Sequence, residues 1–190
     1  MKKTILLCAA VLFLFTLSCK KTEKNKSEEP EKEEVKTNEE AITVTFALEA
    51  RSDSNATGEA SFTEKNGEVT FEARLTGLTP GEHAIHIHEK SDCSSPDGKS
   101  TGGHWNPTFS EHGKWGSADG YHKGDIGNFT ADEDGNGSIK MTTGEWCIGC
   151  DDDTKNVIGK SIIVHAGTDD FVSQPTGAAG GRVSCGGIIR

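Results

Sequence analysis

Val69-Thr70-Phe71-Glu72-Ala73-Arg74-Leu75 alternates apolar and polar residues without a break, so Val69, Phe71, Ala73 and Leu75 share one face of an extended chain. The same period-two pattern runs through Ile42, Val44, Phe46 and Leu48. Both runs read as half-buried strands with the apolar side inward. Between them Asn66-Gly67 is a hairpin signal, because this pair accepts the positive φ angles that a two-residue turn demands. Further turn clusters lie at Gly77 to Gly81 and Asp132 to Gly137; the chain has 23 glycines, and no apolar stripe of helical period follows residue 40. The expected fold class is all-β, a sandwich or flattened barrel. Two stretches break the strand spacing, Glu89 to Lys123 and Ala166 to Gly181, both rich in Gly, Ser and Asp. Loops of that length in a compact domain are usually functional or disordered, and the first holds three of the seven histidines.

Upstream of residue 41 the chain has a different character. Met1-Lys2-Lys3 precedes an apolar run from Ile5 to Phe15 that is too short to span a bilayer, the arrangement of an export signal. The run ends in Thr16-Leu17-Ser18-Cys19, which resembles a bacterial lipobox except that Thr16 stands where leucine is preferred. Cleavage before Cys19 with acylation would anchor the protein to a membrane without spanning it; cleavage without acylation would release it. Residues 19–40 are almost wholly Lys, Glu, Thr, Ser and Asn, with Val35 the sole aliphatic side chain, too little apolar surface to offset the entropy of ordering. The expected organisation is a signal at 1–18, a disordered charged tether at 19–40 with a lipid anchor at Cys19, and a folded domain at 41–190.

That domain carries twelve basic against twenty-two acidic side chains, a net charge of −10, which argues against nucleic acid as a partner. Apart from Cys8 and Cys19 it holds four cysteines, Cys93, Cys147, Cys150 and Cys185, an even number that suits an oxidising compartment outside the cytoplasm.

His86-Ile87-His88 places two imidazoles on one face of a strand, about 7 Å apart at the α-carbons, while Ile85 and Ile87 enter the core. His-x-His alone is a weak metal signal. All seven histidines, however, lie from His83 onward: His83, His86, His88, His104, His112, His122 and His165, with Asp125 three residues after His122. A four-imidazole set suits Cu(II), and imidazoles with a carboxylate suit zinc.

His83-Ala84-Ile85-His86-Ile87-His88-Glu89, Gly103-His104-Trp105-Asn106-Pro107, Glu111-His112-Gly113, His122-Lys123-Gly124-Asp125-Ile126-Gly127-Asn128, Ile163-Val164-His165 and Gly181-Arg182-Val183-Ser184-Cys185-Gly186 together resemble the successive motifs of the copper,zinc superoxide dismutases. The resemblance covers about residues 42–190 and implies a Greek-key eight-stranded barrel with two long functional loops. It implies copper on His86, His88, His104 and His165, and zinc on His104, His112, His122 and Asp125, with His104 bridging the two. It further implies that Arg182 attracts and orients a small anion beside copper, that His104 carries a proton during turnover, and that His83 and Asp169 support the ligands by hydrogen bonds. The implied activity is conversion of two superoxide anions to oxygen and hydrogen peroxide by cycling copper, with zinc structural, as antioxidant defence outside the cytoplasm. A copper-binding module that kept the fold and lost turnover is the alternative. A homodimer is one arrangement open to such a protein.

The resemblance also pairs Cys93 with Cys185 in a disulfide. Cys147-Ile148-Gly149-Cys150 departs from the family; a disulfide, a redox-active pair and an accessory metal or copper-loading site are the readings open to it. The segment Phe171 to Gly181 has no charged residue, so charged guides for an anionic substrate are not evident there.

Overall fold

The computed structural model describes residues 40–190; the expected signal segment, nearly all of the tether, and Cys19 lie outside the described residues. Eight strands form an antiparallel closed barrel: β1 (Ile42–Ala50), β2 (Thr57–Lys65), β3 (Glu68–Thr76), β4 (Gly81–His88), β5 (Gly127–Ala131), β6 (Gly137–Thr143), β7 (Ser161–His165) and β8 (Arg182–Gly187). Their order around the barrel is β1-β2-β3-β6-β5-β4-β7-β8. The spatial run β3-β6-β5-β4 is a Greek key: β4, β5 and β6 lie side by side as antiparallel neighbours, and β3 crosses over to lie beside β6.

Asn66 and Gly67 take φ of 53° and 76° in a two-residue turn flanked by the Lys65↔Glu68 pair. The turn joins β3 to β2 rather than to β1. β2 is quiet in the sequence because its buried positions, Ala60 and Phe62, include only one large apolar side chain. Phe62 nonetheless lies at the centre of the packing, its ring 4.8 Å from Phe71 and 5.7 Å from Trp146, and burial of such a side chain contributes about 2–3 kcal/mol.

β4 and β7 are neighbours and are buried on both faces. Ile85 and Ile87 of β4 and Ile162 and Val164 of β7 point into the core, which leaves His86 and His88 on the outer face. That face is covered by loop 89–126, which leaves one end of β4, and by loop 166–181, which leaves the opposite end of β7. Backbone bonds from Trp105 N to Ile87 O (2.8 Å) and from Ala84 N to Gly167 O (2.8 Å) lay the two loops against β4. A third long connection, 144–160, carries Trp146, Ile148 and Val157 into the core, so its apolar content disguises it as barrel wall in the sequence.

Candidate metal centre

His86 and His88 are held by β4, His165 by the end of β7, and His104 by a single bridge that pairs it with His88. One nitrogen from each of His86, His88, His104 and His165 lies within 4.8 Å of the others, and all four residues are buried. A second set under the same limit joins His104, His112, His122 and Asp125. His104 is common to both.

The hydrogen bonds decide which nitrogen of each ring is free. His86 gives its Nε2–H to Asp169 Oδ2 (2.8 Å), His88 its Nδ1–H to Gly102 O (3.0 Å), and His165 its Nδ1–H to Gly180 O (3.3 Å). Their remaining nitrogens, His86 Nδ1, His88 Nε2 and His165 Nε2, are buried without a partner among the described residues, as is His104 Nε2. An unpaired buried polar atom costs roughly 1–3 kcal/mol, so four of them converging on one point form a donor set that could hold a metal ion. A metal ion takes lone pairs from such nitrogens, while the opposite N–H bonds fix each ring's tautomer.

On the other side, Asp125 faces three imidazoles: His104 Nδ1 at 2.9 Å, His112 Nδ1 at 3.0 Å and His122 Nδ1 at 3.2 Å. The last two lack the alignment of a hydrogen bond, and both nitrogens are otherwise unpartnered. Three nitrogens and a carboxylate oxygen are a donor set suited to tetrahedral zinc. His104 thus turns Nδ1 to this set and Nε2 to the other.

Electrostatics follow the same division. Burial holds the imidazoles of His88 and His165 well below their ordinary range, aided by His104 and His86 respectively. Burial also lowers His86 against the pull of Asp169, and takes His104 down to about 4 against that of Asp125. Four neutral imidazoles are therefore ready to coordinate at neutral pH. Burial would lower His112 too, but the carboxylates of Asp125 and Asp169 outweigh it and hold it up at about 9. Burial would raise Asp125 and Asp169; their imidazole partners win and keep both well below the usual carboxylate range.

Asp169 stands behind both sets, because its second oxygen accepts from His112 Nε2 at 2.9 Å. Gly177, with φ of 66°, lets loop 166–181 close on this carboxylate, where a β-carbon would collide with it. Asn128 pins the backbone of Asp169 in both directions, accepting from its N–H (2.8 Å) and donating to its carbonyl (2.9 Å). Gln174 does the same for His112, at 2.8 and 2.9 Å. Asn128 closes the motif at 122–128 without any role being legible there, and nothing in the sequence pattern singles out Gln174. His83 sits beneath the site, Nδ1 2.7 Å from His165 O and Nε2 2.8 Å from Thr79 O.

Arg182, at the start of β8, lines a cavity of about 320 Å³ with His88, His165, Thr176 and the ion pair of half-buried Asp97 with exposed Lys99. Its guanidinium donates to Gly98 O (2.8 Å), Thr101 Oγ1 (2.9 Å) and Gly102 O (2.8 Å). The loop that supplies those acceptors is tied to β8 by a disulfide between Cys93 and Cys185, whose α-carbons are 5.9 Å apart. Cys147 and Cys150 are joined as well, with α-carbons 6.0 Å apart, in loop 144–160 and away from the cavity-lining residues.

Comparison with known proteins agrees with this geometry. The family described as copper/zinc superoxide dismutase (SODC) matches residues 56–188. "Superoxide dismutase [Cu-Zn] 2" of Aquifex aeolicus (strain VF5) is 36% identical over 138 residues, spanning 70% of this chain and 78% of that protein. Among solved structures, a double mutant of a SOD-like protein from Bacillus subtilis superposes with a TM-score of 0.69 at 30% identity, covering 77% of this chain and 97% of that one. The clock protein EA4 follows with a TM-score of 0.67 at 33% identity, covering 77% and 94%. With the barrel, the paired ligand sets and these matches in agreement, the chain belongs to the copper/zinc superoxide dismutase family, whose cofactors are copper and zinc.

Proposed function

We propose that this protein is an exported superoxide dismutase, held to a membrane by lipid at Cys19. The observation that carries the activity is the double membership of His104 in two buried four-ligand sets, the first of which opens through His88 and His165 onto the cavity that holds Arg182. His86, His88, His104 and His165 would hold copper; His104, His112, His122 and Asp125 would hold zinc. Copper bound there would supply one-electron redox chemistry for superoxide, and zinc a fixed charge with no redox change.

The protein's own groups do the rest. Arg182 presents a fixed positive charge at the cavity and orients a small anion there. His104 holds and passes a proton at Nε2, which has no other partner. Two protons enter for every two superoxide anions consumed, leaving one oxygen and one hydrogen peroxide. Asp169 holds His86 and His112 in register, and His83 supports the backbone at His165. The domain's net −10 repels an anion at long range, so attraction is local, from Arg182 and the bound metals.

A cleaved signal would occupy residues 1–18, a tether 19–40 and the working domain 41–190. Four cysteines paired as two disulfides suit the same oxidising location. Metal content and superoxide turnover measured on one sample, beside a His165→Ala variant, test the activity: about one copper and one zinc per chain, with turnover lost in the variant. The rival reading is a copper-binding module that keeps the fold and the four-imidazole set without turnover. Full copper occupancy with no turnover would establish it.

A further inference from the structure

We propose that Glu145 and Trp146 are positioning residues for His122 and set how tightly the second ligand set retains its metal; this rests on reading His122 as a zinc ligand. His86, His88, His112 and His165 each give an N–H to a carboxylate or carbonyl that orients the ring, while His104 turns both nitrogens to the two sets. His122 differs. Among the described residues no group accepts a hydrogen bond from its Nε2, and its contacts are with Asp125 alone, through Nδ1 at 3.2 Å and the backbone N–H at 2.8 Å. Its ring is therefore placed by its backbone, and its backbone is gripped from loop 144–160.

The grip falls on both neighbours of His122. Glu145 accepts from the Tyr121 hydroxyl (2.7 Å) through one oxygen and pairs with the Lys123 ammonium through the other. Trp146 gives its indole N–H to the Lys123 carbonyl at 2.9 Å. Trp146 is itself buried, packed edge-on against Phe62 and Trp115 with centroids 5.7 and 5.1 Å away.

The next residues lock that position to the barrel. Cys147 pairs by backbone with Lys155 and Val157, and its disulfide to Cys150 closes the turn. Ile148 N–H donates to Glu64 of β2 (2.7 Å), and Arg190 donates to Ile148 O (2.9 Å). Glu145 and Trp146 thus transmit a rigid wall to residues 121–123, doing for His122 through the backbone what Asp169 does for His112 through the ring.

The experiment loads the protein with copper and zinc and follows zinc transfer to a chelator in Glu145→Gln, Trp146→Phe and the double variant, with cobalt(II) placed in the zinc site as a spectroscopic reporter. Glu145 is half-exposed, so its variant tests the idea without threatening the fold. The double variant should lose zinc about tenfold faster than the parent, the scale on which supports behind metal ligands act. Its cobalt(II) visible bands should shift, and copper retention should stay unchanged. Parental zinc release and parental cobalt bands in all three variants overturn the inference, even if the melting temperature falls. A parent that binds no zinc, or a His122→Ala variant that holds zinc as tightly as the parent, instead overturns the ligand assignment and takes the inference with it.

Discussion

Arg182 and His88 share one acceptor: the Gly102 carbonyl takes Arg182 Nη2–H at 2.8 Å and His88 Nδ1–H at 3.0 Å. The residue proposed to meet the substrate and a proposed copper ligand are thereby set against each other by a single peptide unit. Arg182→Ala should keep copper, because His88 retains its bond, while turnover at low salt drops by about tenfold, within the range that local charge steering supplies. Arg182→Lys should fall between the two, since an ammonium keeps the charge but cannot reproduce the three-bond fork. Turnover against ionic strength checks this; the dependence should flatten in the alanine variant.

Asp169 bonds His86 through one oxygen and His112 through the other. In Asp169→Asn only one of those positions keeps an acceptor, and the amide NH2 then opposes the N–H of the other ring. Competitive titration should show zinc affinity reduced about 10- to 100-fold. Copper affinity should change less, because His88 and His165 keep their own supports, the Gly102 and Gly180 carbonyls.

The metal-free protein should be most stable near neutral pH. His86, His88, His104 and His165 are depressed by burial, so below 6.5 the unfolded chain takes up protons that the folded protein refuses. Stability then falls with pH, by roughly 3 kcal/mol at pH 4 for His104 alone. His112, held up at about 9, acts in the opposite sense: its contribution is complete below 6.5 and disappears as pH rises through 9. Thermal melts of the metal-free protein should fall off on both sides of about pH 7. Metals on the same nitrogens should move the acid limb to lower pH.

The Cys93–Cys185 bond closes a separation of 92 residues, and its loss should cost about 4 kcal/mol through the freed unfolded chain. It should also loosen residues 98–102, which hold Arg182. Mild reduction of the metal-loaded protein should therefore lower both the melting temperature and the affinity for a competing anion such as azide. Turnover and anion affinity that survive reduction would separate Arg182 from the disulfide.

The histidine motifs and the two flanking loops are legible in the sequence because each histidine sits inside a short, dense pattern and the loops interrupt the strand rhythm. What escapes is what the fold assembles from unremarkable residues. β2 hides behind Ala60, loop 144–160 hides behind the apolar residues it buries, and Asn128 and Gln174 work through amide groups common to any surface. The choice of ring nitrogen at each histidine is equally invisible, since it depends on carbonyls such as Gly102 O and Gly180 O that only tertiary structure brings near.

Anomalous diffraction at the copper and zinc edges from crystals of the metal-loaded protein locates both ions relative to His104. One copper peak is expected among His86, His88 and His165, one zinc peak among His112, His122 and Asp125, and the His104 ring between them. Either metal bound elsewhere, or a His104 ring turned away from one of the two peaks, would contradict that arrangement.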